Sequence, residues 1–151
     1  KMYVQSHLVL GLIFALILLV IFPQIGLIGF LLIALSTVLI DVDHYIYYVY
    51  KKKDWSLNNA YNWFIERSKR FQNLSRAQRN KVYSGFCFLH GTEILLVLLL
   101  FTLFSEYFLF IFIGFTFHLF LDVTCSRIFM DRMDKISLIH DFFKFKKLKH
   151  L

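Results

Sequence analysis

The chain has 151 residues, is 58% hydrophobic and 19% aromatic, and carries a formal charge of +7. That length fits a single domain, 1–151, while the apolar content exceeds what a soluble domain of this size carries, so water is excluded as its main solvent. Nucleic acid is not the expected partner of the positive charge, because the basic segments are interleaved with aromatic residues suited to lipid headgroups.

The apolar residues fall in four blocks, Leu8 to Phe22, Ile25 to Ile40, Phe86 to Phe104 and Tyr107 to Val123. Such blocks, extended by their polar ends to the roughly 20 residues that a span requires, predict transmembrane helices at 3–22, 25–44, 86–104 and 107–124. The first lacks a small-residue cleavage pattern and reads as a retained anchor. Pro23 and Gly26 mark the turn between the first two helices. The expected architecture is all-α: an integral membrane four-helix bundle made of two helical hairpins.

Between the hairpins lies a charged linker, 51–85, in which Trp55, Leu57, Tyr61, Trp63, Phe64 and Phe71 alternate with Lys, Arg and Asn. That mixture predicts an amphipathic helix at the membrane interface, and Ser75 is the expected N-cap of a second short helix through Val82. The tail, 125–151, places Ile136, Leu138, Ile139, Phe142, Phe143 and Phe145 among basic residues and reads as another interfacial helix. Both segments are expected to contact anionic headgroups.

Orientation follows from the placement of charge. None of the 17 Lys and Arg lies between Met2 and Tyr50; nine fall from Lys51 to Lys81 and seven from Arg127 onward. Linker, tail and both termini are therefore expected in the cytoplasm of a multi-pass protein of the inner (cytoplasmic) membrane. Cys87 and Cys125 would lie near that reducing side and read as packing residues, without a structural disulfide.

The ionisable residues that touch the apolar blocks are His7, Asp41, Asp43, His44, His90, Glu93, His118 and Asp122, and this topology brings all of them to one level. Spacings of three or four residues in Asp41/His44, His90/Glu93 and His118/Asp122 would put each pair on one helix face. Unpaired charges at that depth are costly, and a divalent cation compensates several at once. Imidazole with carboxylate suits zinc best, and also manganese or iron, as one ion or two. The expected metal ligands are His7, Asp41, His44, His90, His118 and Asp122, with Glu93 or Asp43 free to act as general base. Glu106, Asp131, Asp134, His140, Asp141 and His150 lie in polar surroundings and read as solvated.

Ser6-His7 with Gly11, Asp41-Val42-Asp43-His44, His90-Gly91-Thr92-Glu93 and His118-Leu119-Phe120-Leu121-Asp122-Val123-Thr124 together resemble the motifs of the YdjM-like membrane-bound metal-dependent hydrolases. The resemblance runs from His7 to Thr124. It departs at Ile40, where the family often has Pro, and at Glu93, where a second His is frequent. The His-x-x-x-Asp pair is also similar to that of zinc-dependent phospholipases C. The resemblance implies a hydrolase whose metal activates water, acting on a phosphoester or lipid-linked substrate at the cytoplasmic leaflet. Two other functions fit intramembrane histidines and acids: a metal-ion or proton-coupled transporter, and a haem bundle for electron transfer. The apolar outer halves of the helices weaken the first, and the carboxylates beside the histidines weaken the second.

Overall fold

A computed structural model describes residues 4–83, 85, 87–130 and 136–150. The expected helix starts at residues 3 and 86, and Asp131 and Asp134, lie outside the described residues. The chain is mostly helical. Helix α1 (Val4–Ile21) turns through Pro23–Ile25 into α2 (Gly26–Leu39), followed by α3 (Val42–Lys52), α4 (Leu57–Gln72) and α5 (Arg76–Arg79). Strand β1 (Val82–Tyr83), α6 (Thr92–Phe101), α7 (Tyr107–Met130), α8 (Leu138–Lys147) and β2 (Lys149–His150) complete it. Among the described residues, Val4–Ile21, Pro23–Lys52 and Tyr107–Ile128 are long and apolar enough to cross a membrane.

Helix α2 packs most extensively against α1 and α7, and α6 packs on α7. Small residues set the distances. A Cβ at Gly11 would lie 2.0 Å from Thr37 Oγ1, and one at Gly114 would lie 1.9 Å from Ser36 Oγ. The buried positions of α1 are His7, Gly11 and Ala15, one face at intervals of four, while Leu8, Val9, Leu12, Ile13 and Leu16 remain exposed. That outward apolar surface suits lipid.

Two expected elements differ. The second span is interrupted at Ile40–Asp41, where the Asp41 N–H reaches the Val38 carbonyl instead of Thr37 four residues back. The Thr37 carbonyl is occupied by the His118 ring, which donates to it at 2.7 Å, and a side chain inserted into the ladder bends a helix at that point. The third span is also shorter than predicted, because regular helix begins only at Thr92 after a non-helical 87–91 and runs ten residues. At about 1.5 Å per residue those ten residues cover roughly half the hydrocarbon core. Irregular backbone is tolerated at such depth only inside protein, and here Asp43 accepts the Leu89 N–H at 2.9 Å.

The polar segments follow the sequence more closely. Ser56 caps α4 by accepting the Asn59 N–H. Ser75 does cap α5, through a reciprocal bond with Gln78, but that helix ends at Arg79 and Val82–Tyr83 instead pairs in parallel with Lys149–His150. Ser137 caps the amphipathic α8. Asp141, expected to be solvated, is buried on the inner side of α8, whereas His140 beside it is exposed.

Candidate metal centre

Three helices, one helix break and one loop deliver the polar side chains to a common place. His7 comes from the start of α1, Asp41 from the α2–α3 break, Asp43 and His44 from the first turn of α3, His90 from the loop before α6, and His118 and Asp122 from successive turns of α7. His7, Asp43, His90 and His118 are almost wholly enclosed, and Asp122 is buried. Every residue expected as a metal ligand is present in this cluster.

Its centre is the meeting of His90 Nε2 and His118 Nε2, 3.2 Å apart. Asp41 Oδ1 lies 3.4 Å from the first and 3.7 Å from the second. Asp122 Oδ2 approaches the same atoms at 3.8 and 3.9 Å, and its Oδ1 stands 3.3 Å from His7 Nε2. The His7 ring stacks on His118 with centroids 3.9 Å apart. Four donors around a zinc ion at about 2.05 Å would be separated by roughly 3.3 Å, close to the shortest of these distances.

Hydrogen bonding fixes which nitrogen carries the proton. A carbonyl only accepts, so His118 donates from Nδ1 to Thr37 and is left with a bare Nε2 when neutral. The Asp43 carboxylate accepts from His90 Nδ1 at 2.9 Å, which leaves His90 Nε2 bare as well. With both rings neutral, two nitrogen lone pairs face each other at 3.2 Å beside the Asp41 carboxylate, within a buried site. A cation between them turns that repulsion into coordination, and the residues present fit a metal ion.

Beside this centre is a second group able to hold an ion, Asp43, His44, Cys87 and His90. Asp43 Oδ1 accepts from His44 Nδ1 at 2.8 Å, and the Cys87 sulfur lies 3.6 Å from His44 Nε2. Cys87, expected to be a packing residue, is buried and also belongs to this group; its sequence signal is its position three residues before His90. Both oxygens of Asp43 are engaged by His44, His90 and the Leu89 N–H, which suits orienting those rings better than removing a proton from water.

Glu93 is not brought into the cluster. It accepts from Ser137 Oγ at 2.7 Å and from the Leu138 N–H at 2.9 Å, tying the start of α8 to the start of α6. Spacing of three implies a shared face only when both residues are helical, and His90 is not. Gly91, between them, adopts extended backbone, and a Cβ there would lie 2.4 Å from Leu138 Cγ.

A groove of about 460 Å³ opens along Asp41 and His44, between α1, α3 and α4. Leu8, Val38, Val42, Phe64 and Ile65 give it an apolar lining. Phe64 also meets the His44 ring edge-on at 5.3 Å.

The chain is thus a mostly helical protein with membrane-compatible spans and a buried His/Asp/Cys constellation able to hold a metal ion. No protein-family model, curated protein or solved structure matches it.

Proposed function

We propose that the chain is a membrane-embedded metal-dependent hydrolase acting on a phosphoester of a lipid-linked substrate at the cytoplasmic leaflet. The observation that carries this reading is the meeting of His90 Nε2 and His118 Nε2 at 3.2 Å beside Asp41, with each ring's Nδ1 engaged elsewhere. Zinc is the metal best suited to that set, held by His90, His118, Asp41 and Asp122, with His7 bearing on Asp122. Such an ion supplies the Lewis acidity that makes water an adequate nucleophile near neutral pH.

His44 is the base that best fits the rest of the arrangement. It lines the groove, its Nδ1 donates to Asp43, and its Nε2, 3.6 Å from the Cys87 sulfur, is the nitrogen that would take a proton from the attacking water. Asp43 orients His44 and stabilises the imidazolium that results. The apolar groove beside it receives the hydrocarbon part of the substrate, placing the ester near Asp41. Support for the inner-membrane, cytoplasm-facing orientation comes from the basic linker and tail, and the motif resemblance to YdjM-like hydrolases points to the same chemistry.

Elemental analysis of detergent-purified protein tests the metal: one zinc per chain is expected, removed by chelator and absent in His118→Ala. Turnover of a panel of phosphodiesters and phosphomonoesters, lost with chelator and restored by zinc, tests the reaction. A protein with no bound metal and no chelator-sensitive turnover would falsify the reading, whereas metal flux into liposomes without ester cleavage would favour a transporter.

A further inference from the structure

Arg67, on the inner face of α4, is a buried charge that the metal centre does not account for. Only 6% of it is exposed, and none of its three guanidinium nitrogens has a hydrogen-bond partner. Two aromatic rings flank it: the guanidinium carbon lies 4.7 Å from the Trp63 ring centre and 5.8 Å from that of Tyr47, with the Cys87 thiol also near enough to act on it. The Tyr47 hydroxyl is likewise buried with no hydrogen-bond partner. Burial pushes the Arg67 pKa down from its ordinary value, but that value is so high that the group keeps its charge.

An unpaired buried ion costs far more than ring contacts return, so a buried arginine with five free N–H donors signals a missing anion. The planar fork matches a phosphoryl or carboxylate group bidentately, and the phenol adds one more donor. The location gives the anion a role. Gly85, in positive-φ backbone, passes so close over Tyr47 that a Cβ would lie 3.2 Å from its ring, and this is the loop that continues to Cys87 and His90. The pair therefore lies beneath the loop that carries candidate ligands.

We propose that Arg67 and Tyr47 form an oxyanion-binding site for a phosphate group, next to the metal centre. That the anion is the substrate's own phosphoryl group rests on the hydrolase reading; that an anion binds there does not. The two aromatic platforms hold the guanidinium plane while its N–H groups meet the oxygens, and the phenol hydroxyl completes the cradle.

Trp63 supplies the readout, since the chain has two tryptophans and Trp55 is exposed on the linker. In metal-loaded Trp55→Phe protein in detergent, inorganic phosphate should produce a saturable change in Trp63 fluorescence and raise the melting temperature. Adding Arg67→Gln should weaken that response roughly tenfold or more, and Tyr47→Phe by a smaller factor. Without phosphate, Arg67→Gln should melt no lower than its parent, because it removes an unpaired charge. Nanodiscs containing phosphatidate, compared with phosphatidylcholine alone, distinguish a lipid headgroup from free phosphate as the source, and a response to either supports the site. A flat titration with both probes in folded, metal-loaded protein overturns the proposal, as does a response of undiminished strength in Arg67→Gln. A phosphate response that persists in metal-free His118→Ala would keep the anion site even if hydrolysis were never found.

Discussion

Near the Pro23 turn, α1, α2 and α7 pack Ala15, Ile33 and Ala34 against Phe14, Phe110 and Ile113. Toward their other end the same three helices pack His7, Thr37, His118 and Asp122. The apolar end is held by close fit, and the polar end by hydrogen bonds among rings, carboxylates and backbone around two facing ring nitrogens that a cation would join. The comparison separates stability from chemistry: damage at one end should cost folding, and damage at the other should cost metal.

The largest effect is expected from His118→Ala, which should reduce zinc to background and abolish turnover while membrane insertion continues, as read by elemental analysis and protease protection. His44→Gln sharpens the same point from within the site. It should retain zinc yet lose turnover by about 10²-fold or more, as expected for a general base. Loss of zinc in that variant would make His44 a ligand. Ile33→Ala tests the other end: a loss of about 2–5 kcal/mol in stability is expected with zinc content per folded chain unchanged. Asp43→Asn should weaken zinc binding by about 10–100-fold, because it loosens the orientation of both His44 and His90. A chelator competition titration measures it.

The smallest effect concerns the linker corner, away from both ends. Asp54 accepts from the Tyr48 hydroxyl first, then from the Ser56 N–H and the Asn59 amide, and these hold its carboxyl below the ordinary carboxylate range. A depressed folded-state pKa stabilises the fold above the unfolded value and loses that contribution as pH falls through the folded one. The melting temperature of wild type should therefore exceed that of Asp54→Asn near neutral pH, and the two should converge in acid. A constant difference down to strongly acidic pH would show that packing, not ionisation, accounts for it.

Much of the polar end was legible because its residues obey helical spacing. His118 and Asp122 sit one turn apart on α7, where periodicity places them on one face, while Asp41 and His44 keep that spacing across a helix start and meet at 3.5 Å. The failures came where backbone departs from that rule. Nothing in the apolar run from Phe86 to Phe104 announced that 87–91 is loop, since its order depends on Asp43, more than forty residues away. Glu93 therefore meets Ser137 and Leu138 and not His90's neighbours, and the same loop brings Cys87 beside His44. Arg67 was invisible for a different reason: in a basic linker helix one arginine looks like the others, and only the tertiary packing of Tyr47 and Trp63 removes it from solvent.

Gly11 ties these observations to the spacing of two helices. Its missing side chain lets α1 press against Thr37, whose backbone oxygen in turn captures the proton on one edge of the His118 imidazole and exposes the other. A residue with no reactive group thereby decides how an imidazole presents itself, and a single added methyl there would reach the chemistry through the backbone of the neighbouring helix.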